Sequence, residues 1–102
     1  MRMILFFDLP MNTKKDRRIY SKFRKAMIQK GFMMMQFSVY VKIYANREAA
    51  MNDKKNICAI TPDKGNVRIM IVTEKQYANI EIIVGGKSNQ EKYVTEDSFL
   101  LI

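Results

Sequence analysis

Apolar and polar positions change period several times along this chain, and each change predicts an element. Met3-Ile4-Leu5-Phe6-Phe7 is apolar at every position, which predicts a central strand at residues 2–8 covered on both faces. Asp8 and Pro10 end that run. From about residue 13 to 29 the spacing becomes helical. Ile19, Tyr20, Phe23, Met27 and Ile28 form an apolar stripe, and Thr13 and Asp16 stand at capping-box spacing. Gly31 lies where such a helix should stop. Residues 32–44 are too long for one ordinary strand, so two are expected, with a sharp bend or bulge near Gln36-Phe37. In the second of these, Phe37, Val39, Val41 and Ile43 share one face, and Ser38, Tyr40, Lys42 and Tyr44 share the other.

A second helix is expected over about residues 46–60, where Ala49, Ala50, Asn56, Ile57, Ala59 and Ile60 give a weaker stripe that Pro62 closes. Asp63-Lys64-Gly65-Asn66 is a turn signal. Residues 67–73 read as a strong strand, and Ile80-Glu81-Ile82-Ile83-Val84 as another, stopped by Gly85-Gly86. The order predicts an α+β fold of the ferredoxin-like βαββαβ type with extra C-terminal strands. Both helices would cover one sheet face. The other face, expected to carry Tyr40, Tyr44 and apolar residues, calls for a homodimer. Residues 1–86 form the ferredoxin-like domain, and 87–102 a C-terminal extension. Its apolar end, Ser98-Phe99-Leu100-Leu101-Ile102, is expected to pair with a sheet edge of the dimer mate or of a partner protein.

Charge sharpens this picture. The net charge is +8 over 102 residues, and it is concentrated: residues 1–31 hold nine basic and two acidic side chains. Lys14, Arg17, Arg18, Lys22, Arg24 and Lys25 all lie on the first helix. A polyanion is the natural partner of so local a field, although a basic face can also serve solubility alone. No apolar run approaches the roughly 20 residues of a membrane span, and no signal-peptide pattern opens the chain, so a cytoplasmic protein is expected. Cys58, the lone cysteine, reads as a small buried residue.

The sequence has no His, which removes imidazole acid–base catalysis, and nothing suggests a zinc site. Asp8 is the candidate for chemistry. A carboxylate at a strand end beside a basic helix can hold a metal ion against a phosphodiester, with a second carboxylate coming from Asp8 of a dimer mate. An aspartate so placed can equally accept backbone N–H bonds in a turn, and position alone leans that way. The run Met33-Met34-Met35 reads as adaptable core or interface filling, since thioethers bind hard cations poorly.

Three features together resemble a known family. They are Arg2-Met3-Ile4-Leu5-Phe6-Phe7-Asp8-Leu9-Pro10, the basic helix with Arg17-Arg18 and Phe23-Arg24-Lys25, and Gly31-Phe32 followed by Gln36-Phe37-Ser38-Val39-Tyr40. The chain is similar to the second CRISPR-associated adaptation protein, the small ferredoxin-fold partner of the CRISPR integrase, also described as an endoribonuclease. Val72-Thr73-Glu74-Lys75-Gln76-Tyr77-Ala78 resembles the type II-A branch. The resemblance implies a homodimer that bridges integrase dimers and holds the duplex DNA prespacer. It also implies a metal-dependent nuclease in which Asp8 is catalytic and binds Mg²⁺ or Mn²⁺. Family members often carry Arg two residues before the Gln, where this chain has Met34. That departure bears on cleavage and says little about a scaffold.

The leading expectation is therefore a protein of spacer acquisition that binds the duplex backbone through Lys14, Arg17, Arg18, Lys22, Arg24 and Lys25. The alternative is a stand-alone metal-dependent endoribonuclease of the toxin-like ferredoxin-fold class, acting on RNA.

Overall fold

The computed structural model describes residues 1–86, and within them the chain runs β1 (Arg2–Asp8), α1 (Lys14–Gln29), β2 (Met33–Gln36), β3 (Val39–Ile43), α2 (Arg47–Ile60), β4 (Asn66–Val72) and α3 (Glu74–Ala78). The expected extension at 87–102, with its strand at 98–102, lies outside the described residues.

The sheet order is β2-β3-β1-β4, and every neighbouring pair is antiparallel. This is the ferredoxin-like arrangement, with β1 central. Leu5 lies opposite Tyr40 on one side and Ile69 on the other. The unbroken apolar run of β1 follows from that place. Met3, Leu5 and Phe7 face the helices, while Ile4 and Phe6 face the opposite way.

α1 begins as its sequence dictates. Thr13 Oγ1 accepts from the Asp16 N–H at 3.0 Å, and Asp16 Oδ2 accepts from the Thr13 N–H at 3.2 Å. It ends in a Schellman motif: the Phe32 N–H reaches the Met27 carbonyl, the Gly31 N–H reaches that of Ile28, and Gly31 sits at φ +102°. The buried stripe is narrower than expected. Phe23 and Met27 are buried and Tyr20 packs beside them, whereas Ile19 and Ile28 are exposed at the stripe's margins. α2 is capped by Asn46, whose side chain accepts from the Ala49 N–H, and it buries Ala50 and Ile57. Cys58 follows Ile57 directly, turns away from the core and is exposed.

The division near Gln36-Phe37 is present. β2 and β3 form a hairpin across Phe37-Ser38, its register slips between Met34 and Gln36, and Ser38 takes φ +64°. Phe37 lies in the turn, 82 % exposed, and joins no face.

Two further expectations need correction. Tyr40 and Tyr44 share a face, but it is the helix-covered one: Tyr40 stacks on Phe7 at 5.2 Å between ring centres, and Phe7 meets Phe23 edge-on at the same distance. The second face instead carries Ile4, Val41 and Val72, with Phe6, Met33, Met35, Val39 and Tyr77 around them. Nor do residues 80–84 form a strand. After β4 the chain turns into α3 through a second capping box, Thr73 with Gln76. Beyond it Ile83 and Val84 are each 91 % exposed. β-branched composition favours a strand only where a pleated surface is there to receive it, and among the described residues this segment pairs with no strand.

Candidate functional site

Asp8 is the last residue of β1, exposed, and opposite Asn66 of β4. Its backbone is tightly held. Gly65, at φ +94°, approaches so closely that a Cβ there would lie 2.6 Å from the Asp8 carbonyl oxygen and 3.0 Å from Leu9 Cδ2. Only glycine combines that dihedral with that approach. Leu9 is buried and anchors the other side. The turn reading of Asp8 finds no support. Its carboxylate takes no hydrogen bond among the described residues, and the helix start that it precedes is capped by Thr13.

A free carboxylate oxygen is the right donor for a hard cation, but the count is short. Among the described residues no three His, Cys, Asp or Glu side chains gather as a metal-binding group. One chain therefore offers Mg²⁺ a single carboxylate, where the ion usually takes one or two together with phosphate oxygens and waters.

The six predicted cationic residues of α1 divide into two sets. Lys14, Arg18, Lys22 and Lys25 are exposed and make no ion pair or side-chain hydrogen bond among the described residues. Their spacing places them along the outward side of the helix, with Lys22 turning into a cleft. Arg17 and Arg24 lie on the other flank and are engaged. Arg17 Nη1 donates to the Met11 carbonyl at 3.2 Å, and Arg24 Nε donates to the Tyr40 hydroxyl at 3.0 Å. The cleft, about 600 Å³, runs between α1 and the end of α2; Leu9, Ile19, Phe23 and Ile60 line it, with Lys15 and Lys22 at its side. Asp8 adjoins the cleft through Leu9 but does not line it.

Two polar clusters carried no expectation from the sequence. At the first, Asp53 of α2 accepts from Lys30 Nζ at 3.0 Å, from Lys42 Nζ at 3.2 Å and from the Tyr44 hydroxyl. Burial alone would raise the Asp53 carboxyl, but the three hydrogen bonds and the Lys42 charge outweigh it and hold the group at about 2. Burial first, and then the bond to the Asp53 anion, push the Tyr44 hydroxyl far above its ordinary range. The signal was a carboxylate spaced between Ala50 and Ile57 on the inward stripe of α2. At the second, Arg2 Nε donates to Glu74 Oε1 and Oε2 at 2.9 and 3.0 Å. Its signal was the Thr73…Gln76 box, which announces a helix at 74.

A family model described as CRISPR associated protein Cas2 matches residues 1–80. The chain belongs to the Cas2 family. Among its relatives, the "CRISPR-associated endoribonuclease Cas2" of Ligilactobacillus salivarius strain UCC118 is 40 % identical over 101 residues, covering 99 % of this chain and 100 % of that one. The Cas2 relative of the same description from Acidovorax ebreus strain TPSY is 45 % identical over 94 residues, 92 % of each chain. The crystal structure of Streptococcus pyogenes Cas2 at pH 6.5 superposes with a TM-score of 0.60 at 14 % identity, covering 82 % of this chain and 100 % of that one. That likeness is one of fold. Among the described residues, no helix is long and apolar enough to cross a membrane.

Proposed function

We propose that this Cas2-family chain works in spacer acquisition as a cytoplasmic homodimer that grips the backbone of duplex DNA and bridges integrase dimers. The observation that carries this reading is the exposed, unpaired set Lys14, Arg18, Lys22 and Lys25 along one helix. Cations without an internal partner are free to replace the counterions of a polyphosphate, and such contacts ignore base sequence. On the second sheet face Ile4 and Val41 are buried, while Phe6, Met33, Met35 and Val39 are only partly covered and Met70 is exposed, which offers apolar surface to a dimer mate. The bridging role rests on family membership. Mixing the full-length protein with its integrase and a duplex fragment, and sizing the product by light scattering, is the test. The expected product is a particle larger than either protein alone; unchanged masses in the presence of DNA overturn the bridging role.

A second reading, a metal-dependent endonuclease, has one observation in its favour: the Asp8 carboxylate stands exposed and unengaged at the end of the central strand. Asp8 from two copies would together hold Mg²⁺ or Mn²⁺, which when bound supplies charge for activating water or polarising a phosphate. The relatives' description as endoribonucleases makes RNA the substrate of this reading. Both activities can reside in one dimer. A stand-alone ribonuclease would cleave without the integrase.

A further inference from the structure

Among the described residues, Arg2 is the charged residue that the fold buries, at 4 % exposure. It lies opposite Val72, on the second sheet face with Ile4. All its visible chemistry is directed at α3. Nε donates to both oxygens of Glu74, and the guanidinium carbon sits 3.8 Å from the centre of the Tyr77 ring.

α3 has little else to hold it. It is five residues long and contributes no fully buried side chain. A helix of that length is unstable in isolation. Its capping box orders the first turn, and among the described residues Arg2–Glu74, Tyr77 and a longer ion pair from the Met1 α-ammonium to Glu74 at 3.9 Å tie it to β1. The chain that follows is tied to α3 in turn. The Asn79 N–H bonds to Lys75 and Gln76, and the Ile80 N–H bonds to Tyr77 at 3.2 Å. Whatever fixes α3 therefore fixes where Ile80 begins. From there Ile80, Ile82, Ile83 and Val84 are all exposed, on the side of the sheet that is itself apolar. A groove of about 670 Å³ separates them from Arg2, Met35 and Tyr77.

We propose that Arg2 is a positioning residue for self-association: through Glu74 and Tyr77 it locks α3 and so presents residues 80–84 to a second copy in one fixed trajectory. The inference rests on the homodimer reading above and deepens it. A second copy is the fitting occupant because one chain carries both surfaces on the same side: a sheet face whose Phe6, Met35 and Val39 are only partly covered and whose Met70 is exposed, and an apolar segment at 80–84 that is exposed as well. Holding that segment in advance removes ordering entropy from the association step. Arg suits this place better than Lys, because a planar guanidinium can lie over the Tyr77 ring while its Nε–H is shared between the two Glu74 oxygens.

The test uses the full-length chain and sedimentation equilibrium. Wild type, Arg2→Lys, Arg2→Met, Glu74→Gln and the double variant Arg2→Met/Glu74→Gln are compared, with thermal melting of each alongside. Each single change should raise the dimer dissociation constant about tenfold or more. The double variant should be no weaker than the worse single one, because both break the same lock. Amide exchange at Ile80 should accelerate in every variant. Wild-type dimer with single variants within twofold of it overturns the inference and leaves the dimer reading standing. Variants that melt lower yet dimerise as wild type show a merely structural Arg2, and overturn it as well. A monomeric wild type at micromolar concentration removes both.

Discussion

Arg24 Nε lies 3.0 Å from the Tyr40 hydroxyl and donates to it, fastening one flank of the basic helix to β3. Arg18, by contrast, is exposed with no partner among the described residues. Two arginines of one helix therefore have different work. Arg24→Ala should cost about 1–2 kcal/mol in urea unfolding, because a part-buried charge-assisted bond disappears. Arg18→Ala should stay within about 0.5 kcal/mol of wild type. Equal costs in the two variants would contradict the division.

Nucleic-acid affinity should show the reverse ranking. Duplex binding is expected to weaken linearly on a log–log plot against salt, and removing Arg18 and Lys22 together should flatten the slope by about 0.9 for each phosphate no longer neutralised. The check is a fluorescence-anisotropy titration at several salt concentrations. An unchanged slope in the double variant would place the binding surface elsewhere.

Any cleavage should require Mg²⁺ or Mn²⁺ and disappear in Asp8→Asn, which keeps the side chain's size but removes the charge that draws the metal. Integration with the integrase should survive the same change if the scaffold reading holds. Wild-type cleavage by Asp8→Asn would assign the activity to another site or another protein.

Gly65→Ala probes the same site through the backbone. The added Cβ would meet the Asp8 carbonyl oxygen at 2.6 Å, in a dihedral region that L-residues resist. A loss on the order of 2 kcal/mol in stability is expected, since both strain and overlap must be relieved. Metal-dependent cleavage should fall with it. Unaltered thermal stability would show that the turn gives way freely.

Asp53 sets a pH dependence. Its carboxyl is held at about 2 in the folded chain, below its ordinary 3.8, so the folded state binds its proton less readily than the unfolded one. The stabilisation is full above about pH 4 and is lost as pH falls through about 2. Asp53→Asn should therefore cost on the order of 2 kcal/mol at pH 7 and make acid unfolding less steep. Parallel acid-unfolding curves for variant and wild type would show that Lys30, Lys42 and Tyr44 do not depend on the charge.

What the sequence made legible was what neighbouring residues decide. The apolar run of β1, the Thr13 cap, the Gly31 stop and the break near Gln36 are all local, and all are present. The alternation of β3 was also legible, with Tyr40 and Tyr44 sharing one face. Which face lies under the helices is a property of the whole topology, and polar tips on Tyr40, Lys42 and Tyr44 disguised it. Their hydroxyls and amine find Arg24 and Asp53 beneath the helices, so the polar atoms are satisfied where the rings are buried. Residues 80–84 misled for the complementary reason: their composition is that of a strand, but pairing is a property of two segments. For the site, Asp8 and the exposed cations were legible as types. That Arg17 and Arg24 are engaged was not, because their partners, Met11 and Tyr40, are set by the turn before α1 and by β3.

The central place of β1 also governs when the site can exist. Arg2 aligns with Val72 and Asp8 with Asn66, so β1 waits for β4, the last described strand, before it is flanked on both sides. Contacts that far apart in sequence form late and slowly. Until Gly65 and β4 are in place, the cationic helix can form but the Asp8 backbone cannot be held between Gly65 and Leu9. The cations of α1 and the held backbone of Asp8 are therefore brought together only by the completed sheet.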